Sequence, residues 1–183
     1  NGMNDAKPTW LENRKLAVLV LVFAVIFSVF GMGSMQVNRI GNKVQAQFAD
    51  IIAGDLTARI AAAEGIVAAG EKAAGDTAAY TAAQEAVKAI KAAEGPAAQY
   101  AASVALGNKI EALYENIHAV NGEPEIGSVL QTQLSEFRSR GSIMENQKGI
   151  YNETARAAQK KLRGFPAGIF AALTGTKAEP FGA

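Results

Sequence analysis

Between Lys15 and Arg39 the chain carries no charged residue, and the run opens LAVLVLVFAVIFSVF before softening to GMGSMQV. No other stretch limits the fold so severely. At about 1.5 Å per residue, roughly 20 helical residues cross a hydrocarbon core about 30 Å thick, so residues 16–38 are long enough to span a bilayer. Core helices of soluble proteins rarely run that far without a charge. The reading is a transmembrane helix, anchored through Leu16, Val20, Phe23, Ile26, Phe27 and Phe30. A cleaved signal sequence is the rival, since Gly31, Gly33 and Ser34 supply small residues at the right end. A signal's apolar region is only about 7–15 residues, however, and this run is longer.

Residues 1–15 form a polar tail. Thr9-Trp10-Leu11-Glu12 fits a capping box, in which hydroxyl and carboxylate each accept from an orphan backbone N–H, and Trp10 suits the headgroup level. Lys7, Arg14 and Lys15 precede the span, whereas Arg39 and Lys43 follow it. Three cations against two favour a cytoplasmic N-terminus, with the rest of the chain outside the cytoplasm.

Past the span, Val37, Ile40, Val44, Phe48, Ile51 or Ile52, Leu56 and Ile60 recur every three to four residues, the spacing of one helical face. A single helix is therefore expected over residues 39–69, with Gly54 and Gly65 each costing it about 1 kcal/mol relative to alanine. An alanine-rich stretch follows, with a turn around Gly70 and Gly75 and a helix over residues 77–94. Low-complexity disorder is its alternative, but the proline, serine and net charge of disordered segments are missing. Gly95-Pro96 breaks the helix, because proline cannot continue the ladder. Leu106, Ile110, Leu113 and Ile117, with Tyr114 beside them, mark a helix over residues 97–120 that stops at Asn121-Gly122. Glu123-Pro124-Glu125 restarts the chain, and the last long helix is expected over residues 124–163, interrupted near its middle by Gly141. Gly164 and Pro166 end it.

Residues 165–183 are a short apolar tail. Phe165, Pro166, Ile169, Phe170 and Leu173 cannot remain solvated on so short a helix, so the tail must cover the end of the other helices, dock on a partner or touch the bilayer. The fold class is all-α: one N-terminal transmembrane helix continuing into an elongated antiparallel helical bundle of coiled-coil character, residues 39–164, followed by this tail.

Tyr151-Asn152-Glu153-Thr154-Ala155-Arg156 and the later Leu162-Arg163-Gly164-Phe165-Pro166-Ala167-Gly168-Ile169-Phe170-Ala171-Ala172-Leu173-Thr174-Gly175 resemble the end of LemA proteins. In that family a Tyr-Asn step on the last long helix leads to Phe-Pro, a small apolar segment, a glycine and a terminal aromatic, here Phe181. The likeness is specific over residues 146–181 and architectural elsewhere. Residues 37–44, VNRIGNKV, only partly echo the family's motif after the span, and IIAGDLTAR at residues 51–59 replaces its proline-containing one. The resemblance implies a divergent member: a membrane-anchored antiparallel helical bundle in bacteria, with no established enzymatic activity; the charge balance adds the expectation of a single pass through the inner membrane with the bundle periplasmic. Some members help form magnetosome membranes, which hints at membrane organisation.

Catalytic signals are nearly absent. His118 is the single histidine and there is no cysteine, so the common metal and nucleophile sets lack members. Glu111 and Glu115 stand four apart and Glu145 lies on another helix, without the Glu-x-x-His pairs of di-metal bundles. Gly31 and Ser34 either let helices approach within the bilayer or mark a slightly kinked exit. Tyr151 and Asn152 read as structural, bridging helices by side-chain hydrogen bonds. The 183 residues leave room for about one domain beside the span, and the net charge of +1 gives no pull toward nucleic acid. The function expected is a non-enzymatic scaffold without cofactor, its partners the lipid bilayer, further copies of itself and other membrane proteins. The alternative is an extracytoplasmic sensor or ligand-binding module.

Overall fold

The structure, a computed structural model, describes residues 14–121 and 127–182. They form α1 (Arg14–Phe48), a π-helical segment (Ala49–Ala53), α2 (Gly54–Ala74), α3 (Ala78–Ala92), α4 (Pro96–Asn121), α5 (Gly127–Arg163) and α6 (Ala167–Thr174), and no strand occurs among the described residues. The proposed capping box at Thr9 and the stop and restart over residues 122–125 lie outside them.

Most boundaries follow the sequence signals, with three corrections. First, the long helix does not stop near residue 69. Gly70 lies inside α2, buried, where a Cβ would sit 3.0 Å from the Cδ1 of Ile117; α2 continues to Ala74 and ends at Gly75. Second, Gly141 does not interrupt α5, which runs unbroken from Gly127 to Arg163. Third, the apolar face after the span is carried through a change of helix type. Val44, Ile52 and Leu56 are buried, and Ile51 is not. Eight residues from Val44 to Ile52 overshoot two α-turns by about 80°. The wider i→i+5 turn at Ala49–Ala53 absorbs most of that excess and returns Ile52 to the side of Val44. A side chain caps α3: the Thr77 hydroxyl accepts from the Tyr80 N–H at 3.2 Å. Before α4, Gly95 takes φ +83°, a conformation that a Cβ would strain.

The chain divides into two compact units. One comprises the residues up to Gly41 with Lys160–Lys177, the other Asn42–Gln159 with Ala178–Ala183. In the first, α1 is long and apolar enough to cross a membrane, with an 18-residue window of mean hydropathy 2.5 and none of it buried. A soluble core helix would be covered; this window is bare, although Val37 and Val44 further along α1 are buried.

The second unit holds a shared apolar core. Ile66 of α2, Ile90 of α3, Leu106, Ile110, Leu113 and Ile117 of α4, and Phe137 and Tyr151 of α5 are all 2% exposed or less. The alanines at 62, 63, 74 and 83 are buried too and let helix axes come close, though each removes little apolar area from water. Facing residues fix the register. Glu64 meets Lys91 at 2.7 Å, Asp55 meets Arg140 at 2.8 Å, and Glu111 holds Arg138 through two bonds of 2.7 and 2.5 Å.

Candidate functional site

Three places carry side chains that local helix formation does not explain. The first is the apolar surface of the first unit. Val20, Phe23, Ile26 and Phe27 are 45%, 55%, 45% and 76% exposed, as an anchor requires; Leu16 and Phe30 are helical, within α1. α6 belongs to the same unit, and its C-cap Gly175 is left-handed at φ +66°. Phe170 faces inward, 5% exposed, with its ring against the Cα of Gly33, where any Cβ would collide with it. Phe165, Ile169 and Leu173, four residues apart, are 89%, 52% and 69% exposed, and Pro166 is exposed at the α6 N-cap. Thus the tail does two things within its own unit. It covers Gly33 and presents a second apolar stripe. Gly31, by contrast, has open space around it, and the Ser34 hydroxyl turns back to its carbonyl at 3.1 Å.

The second place is the Tyr151-Asn152 step. The two residues do not bridge helices; they hold the irregular C-terminal segment. The Tyr151 hydroxyl donates to the Glu179 carbonyl at 2.7 Å. The Asn152 amide donates to the carbonyls of Phe181 and Gly182 at 3.1 and 3.2 Å and accepts from the Phe181 N–H at 2.7 Å. An Asn side chain presents the same donor and acceptor pair as a peptide, so it can pair with the backbone of a segment outside any helix or sheet. Phe181 then enters a ring cluster, 5.1 Å from Tyr100 and 5.7 Å from Phe48, while Phe48 lies 5.3 Å from Tyr151. Burial, with Glu179 adding to it, pushes the Tyr151 hydroxyl up to about 12, which keeps it a donor.

The third place is a cavity of about 740 Å³ in the second unit, lined by Arg59, Tyr100, Ser103, Gly107, Phe137 and Gly141 among others. Arg59 of α2 lays its guanidinium over the Phe137 ring at 4.4 Å. A Cβ on Gly141 would collide with that guanidinium, and one on Gly107 would lie 3.0 Å from its Nη2. Both glycines therefore supply room for Arg59. Its Nε is buried and has no hydrogen-bond partner. Burial lowers its affinity for the proton while Glu145 and Glu111 oppose that, although each is engaged elsewhere. Arg138 holds the Glu111 carboxyl below its usual range, and Lys148, at 2.8 Å, does the same for Glu145. Arg59 escaped the sequence reading. The available signal was two glycines, Gly107 and Gly141, inside otherwise strong helical patterns.

The other residues considered for chemistry lie apart. His118 is exposed and stacks on Tyr114, centroids 6.1 Å apart. No group of acidic and histidine side chains able to hold a metal occurs among the described residues. In comparisons with known proteins, the chain matches no family model, no curated protein and no solved structure.

Proposed function

We propose that the chain is a non-enzymatic scaffold, anchored in a bacterial inner membrane by α1 and carrying an elongated antiparallel helical bundle on the periplasmic side. The observation that carries this reading is the bare, uncharged face of α1, which is stable only in an apolar medium. The likeness of residues 146–181 to LemA proteins supports the same architecture. The order of facing pairs supports the antiparallel bundle: from Asp55–Arg140 to Gly65–Gln133, one number rises as the other falls. The exposed stripe of Phe165, Ile169 and Leu173 gives the scaffold a lateral contact, either to the bilayer or to a second copy. Confinement to a membrane raises the effective concentration of copies and makes weak contacts count.

The test begins with the full chain produced in bacteria. It is expected to stay in the membrane pellet through an alkaline carbonate wash, and release into the supernatant removes the anchor. Protease added to intact spheroplasts is expected to cut the region after Arg39; survival until the membrane is permeabilised reverses the orientation. Mass measurement in mild detergent then compares the full chain with a Phe165→Ser, Ile169→Ser, Leu173→Ser variant. An oligomer that becomes a monomer places the contact on α6, and a monomer in both samples removes self-association. Deleting the tail would be a poorer experiment, because it would also remove Phe181 from the core.

A further inference from the structure

The geometry points to the Arg59 cavity as a binding site for a small organic acid, its carboxylate taken by the guanidinium and its apolar body lying toward Phe137 and Met144. The charges around the cavity are the first argument. Four charged residues line it, Arg59, Glu111, Arg138 and Glu145, and a fifth, Lys148, lies outside the wall bonded to Glu145. Glu111 is bonded to Arg138 and Glu145 to Lys148. Two acids are thereby matched, and one positive charge is left over at Arg59.

A half-buried guanidinium whose Nε lacks a hydrogen-bond partner is costly, and the ring of Phe137 with the more distant Glu111 and Glu145 compensates only in part. A carboxylate matches the planar fork of a guanidinium and can accept two parallel bonds from it. It also brings the single negative charge that the surplus calls for. A phosphate dianion would exceed the surplus and meet repulsion from Glu111 and Glu145. The volume, about 740 Å³, falls within the range of small-molecule sites. Ser103, Asn108, Ser142 and Asn146 add polar groups to the walls, and Val104 and Met144 add apolar ones. Selectivity among acids would arise there. None of this depends on the membrane reading, because every residue concerned lies in the second unit.

Calorimetry on the full chain in a neutral detergent tests the site, with benzoate as the probe and benzamide and inorganic phosphate as controls. Benzoate is expected to bind one to one and raise Tm, and the two controls are not. Arg59→Gln, with helix content checked by circular dichroism, is expected to weaken benzoate binding at least tenfold. A second variant, Ser142→Asp, supplies a carboxylate from within and is expected to abolish benzoate binding with the helices intact. It decides the matter should Arg59→Gln fail to fold. Absence of benzoate binding by the unaltered chain overturns the assignment. So does equal binding of benzamide or phosphate, or benzoate binding that survives either variant in folded form.

Discussion

Phe165, Ile169 and Leu173 of the first unit are 89%, 52% and 69% exposed, whereas Phe137, Tyr151 and Phe181 of the second are 1%, 0% and 1% exposed. Charge divides the same way. Across residues 14–41 and 160–177 there are Arg14, Lys15, Arg39, Lys160, Lys161, Arg163 and Lys177 and no acidic residue. The second unit carries both signs and pairs them, as at Asp55–Arg140 and Glu111–Arg138. The second unit thus hides its large aromatic side chains and pairs several of its charges. The other leaves apolar surface bare and, over these residues, carries only cations, a composition suited to an apolar layer bounded by anionic headgroups. The contrast teaches that burial within the chain is the wrong measure for the first unit.

The largest expected effect tests whether the second unit is stabilised from within. Leu113 is fully buried and packs beside Gly70, so Leu113→Ala leaves a cavity and should cost about 2–5 kcal/mol. Leu173→Ala, at an exposed position, should leave the melting curve in detergent nearly unchanged. Equal losses from the two substitutions would erase the contrast. Next comes the hydrogen-bonded tail. Asn152→Ala strands the Phe181 N–H and two carbonyls, at a cost of about 1–3 kcal/mol. Hydrogen exchange at the Phe181 amide should rise, and unchanged protection would show that the ring cluster alone holds the segment.

The pH dependence of the second unit sharpens the comparison further. The Tyr151 hydroxyl is raised from its ordinary value near 10 to about 12 in the folded chain, so the unfolded chain loses that proton first as pH rises. The stabilisation is complete below pH 10 and disappears as pH climbs through 12, a change on the order of 2 kcal/mol. Denaturant melts from pH 9 to 12 should show it, and Tyr151→Phe should flatten the slope. The smallest effect is expected at the surface. Glu111 and Arg138 are 37% and 57% exposed, so a double-mutant cycle on them should give only about 0.2–1 kcal/mol. A coupling of several kcal/mol would mean that the cavity wall is far better desolvated than its exposure indicates.

The sequence alone determined the helices and the long uncharged apolar run. Both depend on near-neighbour physics: an uncharged run of sufficient length, apolar residues at helical spacing, and Gly95-Pro96 or Gly164 and Pro166 as stops. The buried positions Leu106, Ile110, Leu113 and Ile117 were legible for the same reason, since one helix face repeats along its own axis. Glycine was where local reasoning failed. At 70 and 141 it was read as backbone weakness, yet both residues lie inside unbroken helices, with Ile117 and Arg59 in the space a side chain would fill. The bonding of Asn152 to Phe181, 29 residues away, likewise has no local signature. Only the tertiary structure decided these features. A glycine's meaning depends on which atom from another helix arrives at its missing Cβ, and an unpaired arginine becomes visible only once every nearby carboxylate has been assigned elsewhere.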